Sequence, residues 1–142
     1  MFYEGIGKLL AAASELLGAG DGDGDAKAQR AQRGIQVLLR RLGAVWPSVF
    51  SALARELEVY ERVVARGRAT LAEQGFELHA EVQAASPVER YAQLQRELDA
   101  LVVALHEQRG AAWARPALHE VRKGMAEAAA VQGELVEAML AH

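Results

Sequence analysis

The sequence predicts an all-α fold: a mostly antiparallel bundle of four to five helices with kinks or turns at Pro47 and Pro116. Three observations carry this expectation. Apolar residues recur every three or four positions in three runs: Phe50, Leu53, Leu57, Tyr60, Val64 and Leu71; Tyr91, Leu94, Leu98, Leu101 and Leu105; and Leu118, Val121, Met125, Ala128, Leu135 and Met139. That spacing lines one stripe of a helix. Ala supplies much of the 51% hydrophobic content while Ile is scarce, which favours helix. Gly and Pro punctuate the runs where helices are expected to end. At 142 residues, a single bundle domain over 1–142 is expected, able to bury about two-thirds of its unfolded surface without staples.

The first helix is expected from Phe2 to Leu17, with Phe2, Ile6, Leu9, Leu10, Ala13, Leu16 and Leu17 on one face and Gly18 and Gly20 ending it. Glu4 and Glu15 make this segment an amphipathic helix in place of a secretion leader. A polar loop, Asp21-Gly-Asp-Gly-Asp25, follows, and Asp25 suits the N-cap of a second helix. That helix spans Ala26 to Leu42 with a stripe of Ala28, Ile35, Leu38, Leu39 and Leu42. Pro47 lacks an N–H and disfavours helix at Trp46, so the chain is expected to kink or turn there. A third helix starts near Pro47 or Ser48 and reaches at least Gln74, where Gly75 followed by Phe76 matches a Schellman ending.

From Phe76 to Val82 the apolar residues alternate, which points to an irregular connection. Ser86-Pro87-Val88-Glu89 then joins a capping Ser, a Pro at the first helical position and a Glu at the third, the clearest helix start in the chain. This fourth helix runs to about Arg109 and Gly110 ends it, and a fifth continues to about Leu140. Gly43-Ala-Val-Trp46-Pro47 and Gly110-Ala-Ala-Trp113-Ala-Arg-Pro116 resemble each other, and each suits a tight corner with a Trp beneath it. Short connections would set neighbouring helices antiparallel.

The absence of Cys excludes disulfide frameworks, thiolate zinc sites and cysteine nucleophiles, and fits a reducing cytoplasm. A net charge of −3 gives no global reason to expect nucleic acid. No unbroken run of about 18 apolar residues occurs, so no membrane span is expected. The Ala, Arg, Leu and Gly bias suggests a GC-rich bacterial genome.

Asp21, Asp23 and Asp25 occupy the first, third and fifth positions of a calcium-loop pattern, but Ala26 stands where the turn Gly belongs and Gln32 where the bidentate Glu belongs. A polar linker explains them better, and no metal or cofactor is expected. Ala26–Val45 carries Lys27, Arg30, Arg33, Arg40 and Arg41 without one acid, on the helix face opposite Ile35 and Leu42. Such a face suits an acidic partner or a nucleic-acid backbone. Arg33 and Arg40 lie seven residues apart, as do Glu120, Glu127 and Glu134, and matching ladders of this kind fix the register of a helix seam.

His119-Glu-Val-Arg-Lys123-Gly124 resembles the His-x-Leu-Lys-Gly signature of histidine-phosphotransfer domains, with Lys and Gly one residue, about 100°, further round the helix. Arg115-Pro-Ala-Leu-His119 resembles the Arg-x4–6-His pair of helical HEPN ribonucleases, one residue short and interrupted by Pro116. Neither covers more than a few residues, and neither defines membership. No other catalytic constellation assembles.

The expectation is therefore a non-catalytic, cytoplasmic helical module for protein–protein interaction, as a homo-oligomer or a subunit of a larger complex. Its apolar stripes supply affinity, and the Arg33/Arg40 and Glu127/Glu134 ladders supply register. The alternative is a subunit of a nucleoprotein or defence complex that grips a nucleic-acid backbone through Arg30, Arg33, Arg40 and Arg41. No membrane partner is expected.

Overall fold

A computed structural model of the chain describes residues 8, 10–13, 15, 26–79 and 82–141. The described residues are helical or irregular, with no strand among them. Residues 8, 10–13 and 15 are helical. Three further helices follow: α1 (Ala26–Glu73), α2 (Pro87–Glu107) and α3 (Ala114–Leu140). The acidic loop Asp21–Asp25, with its Asp25 cap, lies outside the described residues, as does most of the expected first helix.

The second and third expected helices are one. α1 runs 48 residues with Pro47 inside it. Pro47 has no N–H to give the carbonyl of Gly43, but both residues face solvent, so water can take that hydrogen bond. The Gly43–Pro47 segment is therefore no corner, and Trp46 is 42% exposed. Gly110–Pro116 does contain one: turns occupy 108–113, and Pro116 falls in the first turn of α3, where its missing N–H costs nothing.

The remaining boundaries follow their local chemistry. Gly75, at φ 81°, closes α1. Phe76 N donates to the Leu71 carbonyl at 3.0 Å and Gly75 N to that of Ala72 at 3.0 Å, which are the two bonds of a Schellman ending. Residues 76–79 and 82–84 are irregular. At the start of α2, Ser86 Oγ accepts from Glu89 N at 3.2 Å and donates to Glu89 Oε2 at 2.9 Å.

The chain divides into two compact units: Met1–Val49 with Leu135–His142, and Phe50–Glu134. The second unit holds the main core, in which Val64 and Leu71 of α1, Leu94, Leu98, Leu101 and Leu105 of α2, and Val121 and Ala128 of α3 pack together. Its helices do not all pair in the antiparallel sense. Glu56 of α1 meets Tyr91 of α2, Arg68 meets Glu97, and Gly67 lies against Leu101. From Glu56 to Gly67 along α1 the facing residues advance from Tyr91 to Leu101 along α2, so these two helices run parallel. α3 runs antiparallel to α1, pairing Arg55 with Glu134, Arg62 with Glu127 and Arg66 with Glu120. The 74–86 connection must therefore travel back along the unit before α2 begins.

Close approach in this unit depends on glycine. A Cβ on Gly67 would lie 2.7 Å from Leu101 Cδ1. One on Gly124 would collide with Val63 Cγ2.

In the first unit, Ile35, Leu42, Val45 and Val49 form a narrow buried stripe. Leu38 and Leu39, expected in the core, are 45% and 36% exposed. The segment Gln32–Glu73 is long and apolar enough to pass a membrane-span test of length and composition, with 28% of its most apolar window buried. The sequence expectation counted unbroken apolar runs, which Arg40-Arg41 and Pro47-Ser48 interrupt. A core helix passes the same test.

Candidate functional site

Of the five cations expected to form one face, Arg30, Arg33 and Arg40 are exposed and Arg41 is half-buried. Lys27 lies in α1, but its side chain is outside the described set. Arg30, Arg33 and Arg40 make no ion pair or side-chain hydrogen bond among the described residues. The Nε of Arg41 is buried without a hydrogen-bond partner. The same unit carries a cleft of about 170 Å³ between Leu38, Leu39, Leu42, Met139 and Leu140. Leu140 is 71% exposed, and Val136, one turn before it on α3, is 40% exposed.

The acidic ladder on α3 exists, but its partners differ from those expected. Glu134 binds Arg55 through two hydrogen bonds of 2.7 and 3.4 Å. Glu127 binds Arg62 at 2.6 Å, and Glu120 binds Arg66 at 3.3 Å. Arg33 and Arg40 take no part. Arg55, Arg62 and Arg66 repeat at seven and four residues, and that spacing is the signal that points to them. The hydrogen bond from Arg55 lowers the pKa of Glu134, with the attraction of its charge second.

Between α1 and α3 of the second unit, the ladder borders a groove of about 490 Å³. Val63, Gly67, Ala117, Val121 and Gly124 line it, and Trp113 sits at the end beside Pro116. The Trp113 ring also lies 6.0 Å from that of Phe76, which follows the end of α1.

Two polar clusters inside this unit were not legible as sites. Glu56 is fully buried. Its Oε2 accepts from Tyr91 Oη at 3.1 Å and Gln132 Nε2 at 2.8 Å. Burial, with the Glu56 carboxylate second, pushes the Tyr91 phenol far above its ordinary range. Gln93, also buried, accepts from Ala84 N at 2.9 Å and donates to the Val82 carbonyl at 3.1 Å and Glu97 Oε1 at 3.0 Å. Arg68 reaches Glu97 and donates to the His79 carbonyl at 2.8 Å. These bonds fasten the returning 76–86 segment to the helices. Buried polar groups without such partners would each cost about 1–3 kcal/mol.

His119 is exposed in the second turn of α3, and no hydrogen bond or ion pair brings a described residue to it. Among the described residues, no three His, Asp or Glu side chains gather as metal ligands. Comparison with family models, with curated proteins and with solved structures finds no match to this chain.

Proposed function

We propose that this chain is a non-catalytic, cytoplasmic helical module that assembles with a second copy of itself through the apolar side of its first unit. The observation that supports this most is the exposure of Leu38, Leu39 and Leu140 around one largely apolar cleft. Apolar surface grouped in this way is a usual mark of an interaction site. On a helical wheel of 100° per residue, Arg30, Arg33 and Arg40 fall on the side of α1 away from the Ile35 stripe. These three would stay solvated in such a dimer, leaving Arg41 as the arginine that lines the cleft.

Sedimentation equilibrium from low to high micromolar concentration tests this. The wild-type chain populates a dimer, and the Leu38→Glu/Leu39→Glu variant stays a monomer with an unchanged circular-dichroism spectrum. A wild-type chain that is monomeric at every concentration overturns the proposal.

One observation favours a second reading. Arg30, Arg33 and Arg40 are exposed and unpaired among the described residues. With Arg41, they suit a nucleic-acid backbone. Binding of a labelled oligonucleotide, followed by anisotropy, would then weaken with salt at a log–log slope of about −3 to −4. No binding to DNA or RNA at low salt removes this reading.

A further inference from the structure

A different surface, in the second unit, has the chemistry of a ligand site. The α1–α3 groove encloses about 490 Å³, inside the range of small-molecule pockets, about 300–1,000 Å³. Its floor holds Val63, Ala117 and Val121 beside the polar Thr70, and the space left by the missing side chains of Gly67 and Gly124 is filled by Leu101 and Val63. Trp113 offers an aromatic wall at one end.

The rim carries Arg62, Arg66 and Lys123 against Glu120 and Glu127. Both arginines are committed to the carboxylates, Arg62 to Glu127 and Arg66 to Glu120. Lys123 is exposed, lies between the two glutamates on α3, and makes no ion pair or hydrogen bond among the described residues. Three cations against two carboxylates leave one positive charge, centred on Lys123. A monoanion neutralises it. A dianion such as a phosphate monoester would place its second charge against Glu120 and Glu127.

We propose that this groove binds a small apolar monoanion. Its flat hydrocarbon body lies over Gly67, Ala117 and Val121 toward Trp113, and its single carboxylate or sulfonate end meets Lys123 Nζ. The apolar floor supplies most of the affinity, and Lys123 selects the charge. The site is independent of the proposed dimer face, which lies in the other unit.

The test uses the full chain carrying Trp46→Phe, which leaves Trp113 as its single Trp. The probe is 8-anilinonaphthalene-1-sulfonate, an aromatic monoanion, alongside the neutral N-phenyl-1-naphthylamine. The expected result is saturable one-to-one binding of the sulfonate that quenches Trp113 by energy transfer. Lys123→Gln weakens it about fivefold, the upper range of a solvent-exposed ion pair, and Lys123→Arg restores it. The neutral probe binds both variants equally.

Adding Leu38→Glu separates the groove from the dimer face, and it leaves the quenching unchanged if the groove is the site. Lys123 is exposed, so Lys123→Gln folds, and its circular-dichroism melt confirms it. The proposal is overturned if the sulfonate does not saturate, if Lys123→Gln binds it as tightly as the parent, or if Leu38→Glu abolishes the quenching.

Discussion

Replacing Gly124 by Ala tests how closely α3 packs on α1, and Gly133 in the same helix provides the control. In a helix interior, Gly→Ala alone stabilises by about 1 kcal/mol, because Gly gives up more backbone freedom on folding. At Gly133 nothing lies within 4 Å of the new Cβ, so that gain should be realised. At Gly124 the Cβ would overlap Val63 Cγ2. Val63 is buried and β-branched, so it has few rotamers into which to retreat. Overpacking of this kind costs about 1–3 kcal/mol, and a direct overlap belongs in the upper half of that range.

The net expectation is that Gly124→Ala destabilises by about 1–2 kcal/mol while Gly133→Ala stabilises by about 1 kcal/mol. Urea unfolding followed by circular dichroism measures both. In a Val63→Ala background the collision is gone, and Gly124→Ala should become stabilising. The double-mutant cycle then returns a coupling of about 2–3 kcal/mol. If Gly124→Ala and Gly133→Ala stabilise the wild-type chain equally, the close α1–α3 contact is wrong.

Three further outcomes are expected. Gln93→Leu leaves the Ala84 N–H and the Val82 carbonyl without their partner and costs about 2–3 kcal/mol; the Ala84 amide should then exchange with deuterium much faster, and unchanged exchange would contradict the anchoring role. The Tyr91 phenol is raised by burial and by Glu56, so the unfolded chain releases that proton first and stability falls as pH rises above about 10; Tyr91→Phe should flatten this alkaline slope in urea midpoints. Glu134 is lowered by Arg55, so its contribution is present above the ordinary carboxylate range and is lost as pH falls through the depressed value; carboxyl NMR should show its midpoint below that of exposed glutamates, and Arg55→Gln should return it to them.

The helical stripes and most helix ends are local chemistry, and they were readable. Ser86-Pro87-Val88-Glu89 and Gly75-Phe76 each satisfy the backbone groups of their own helix end, so no tertiary information is needed. Pro47 does not end the helix, because its cost depends on whether water reaches the orphaned Gly43 carbonyl, and exposure is a property of the folded chain. The parallel α1–α2 pairing was illegible for a similar reason. A 74–86 connection permits either direction, and the choice is fixed by Gln93, Glu97 and Arg68 holding the return segment. Those residue types read as surface groups in a sequence.

The acidic ladder was visible, but several basic residues had suitable spacing. Arg33 and Arg40 matched its seven-residue repeat, whereas Arg55, Arg62 and Arg66 lie opposite it. Leu38 and Leu39 sit on the apolar side of their helix, and periodicity alone does not tell whether that side meets its own chain. Their exposure is the observation on which the proposed pairing with a second copy rests.

That face can be tested directly because the chain has no Cys. Leu38→Cys, and separately Val103→Cys as an exposed control on α2, can each be oxidised under dilute conditions and resolved by mass. The account predicts rapid covalent dimer from the Leu38 variant and slow collisional crosslinking from the Val103 variant. Equal rates from the two positions would contradict it.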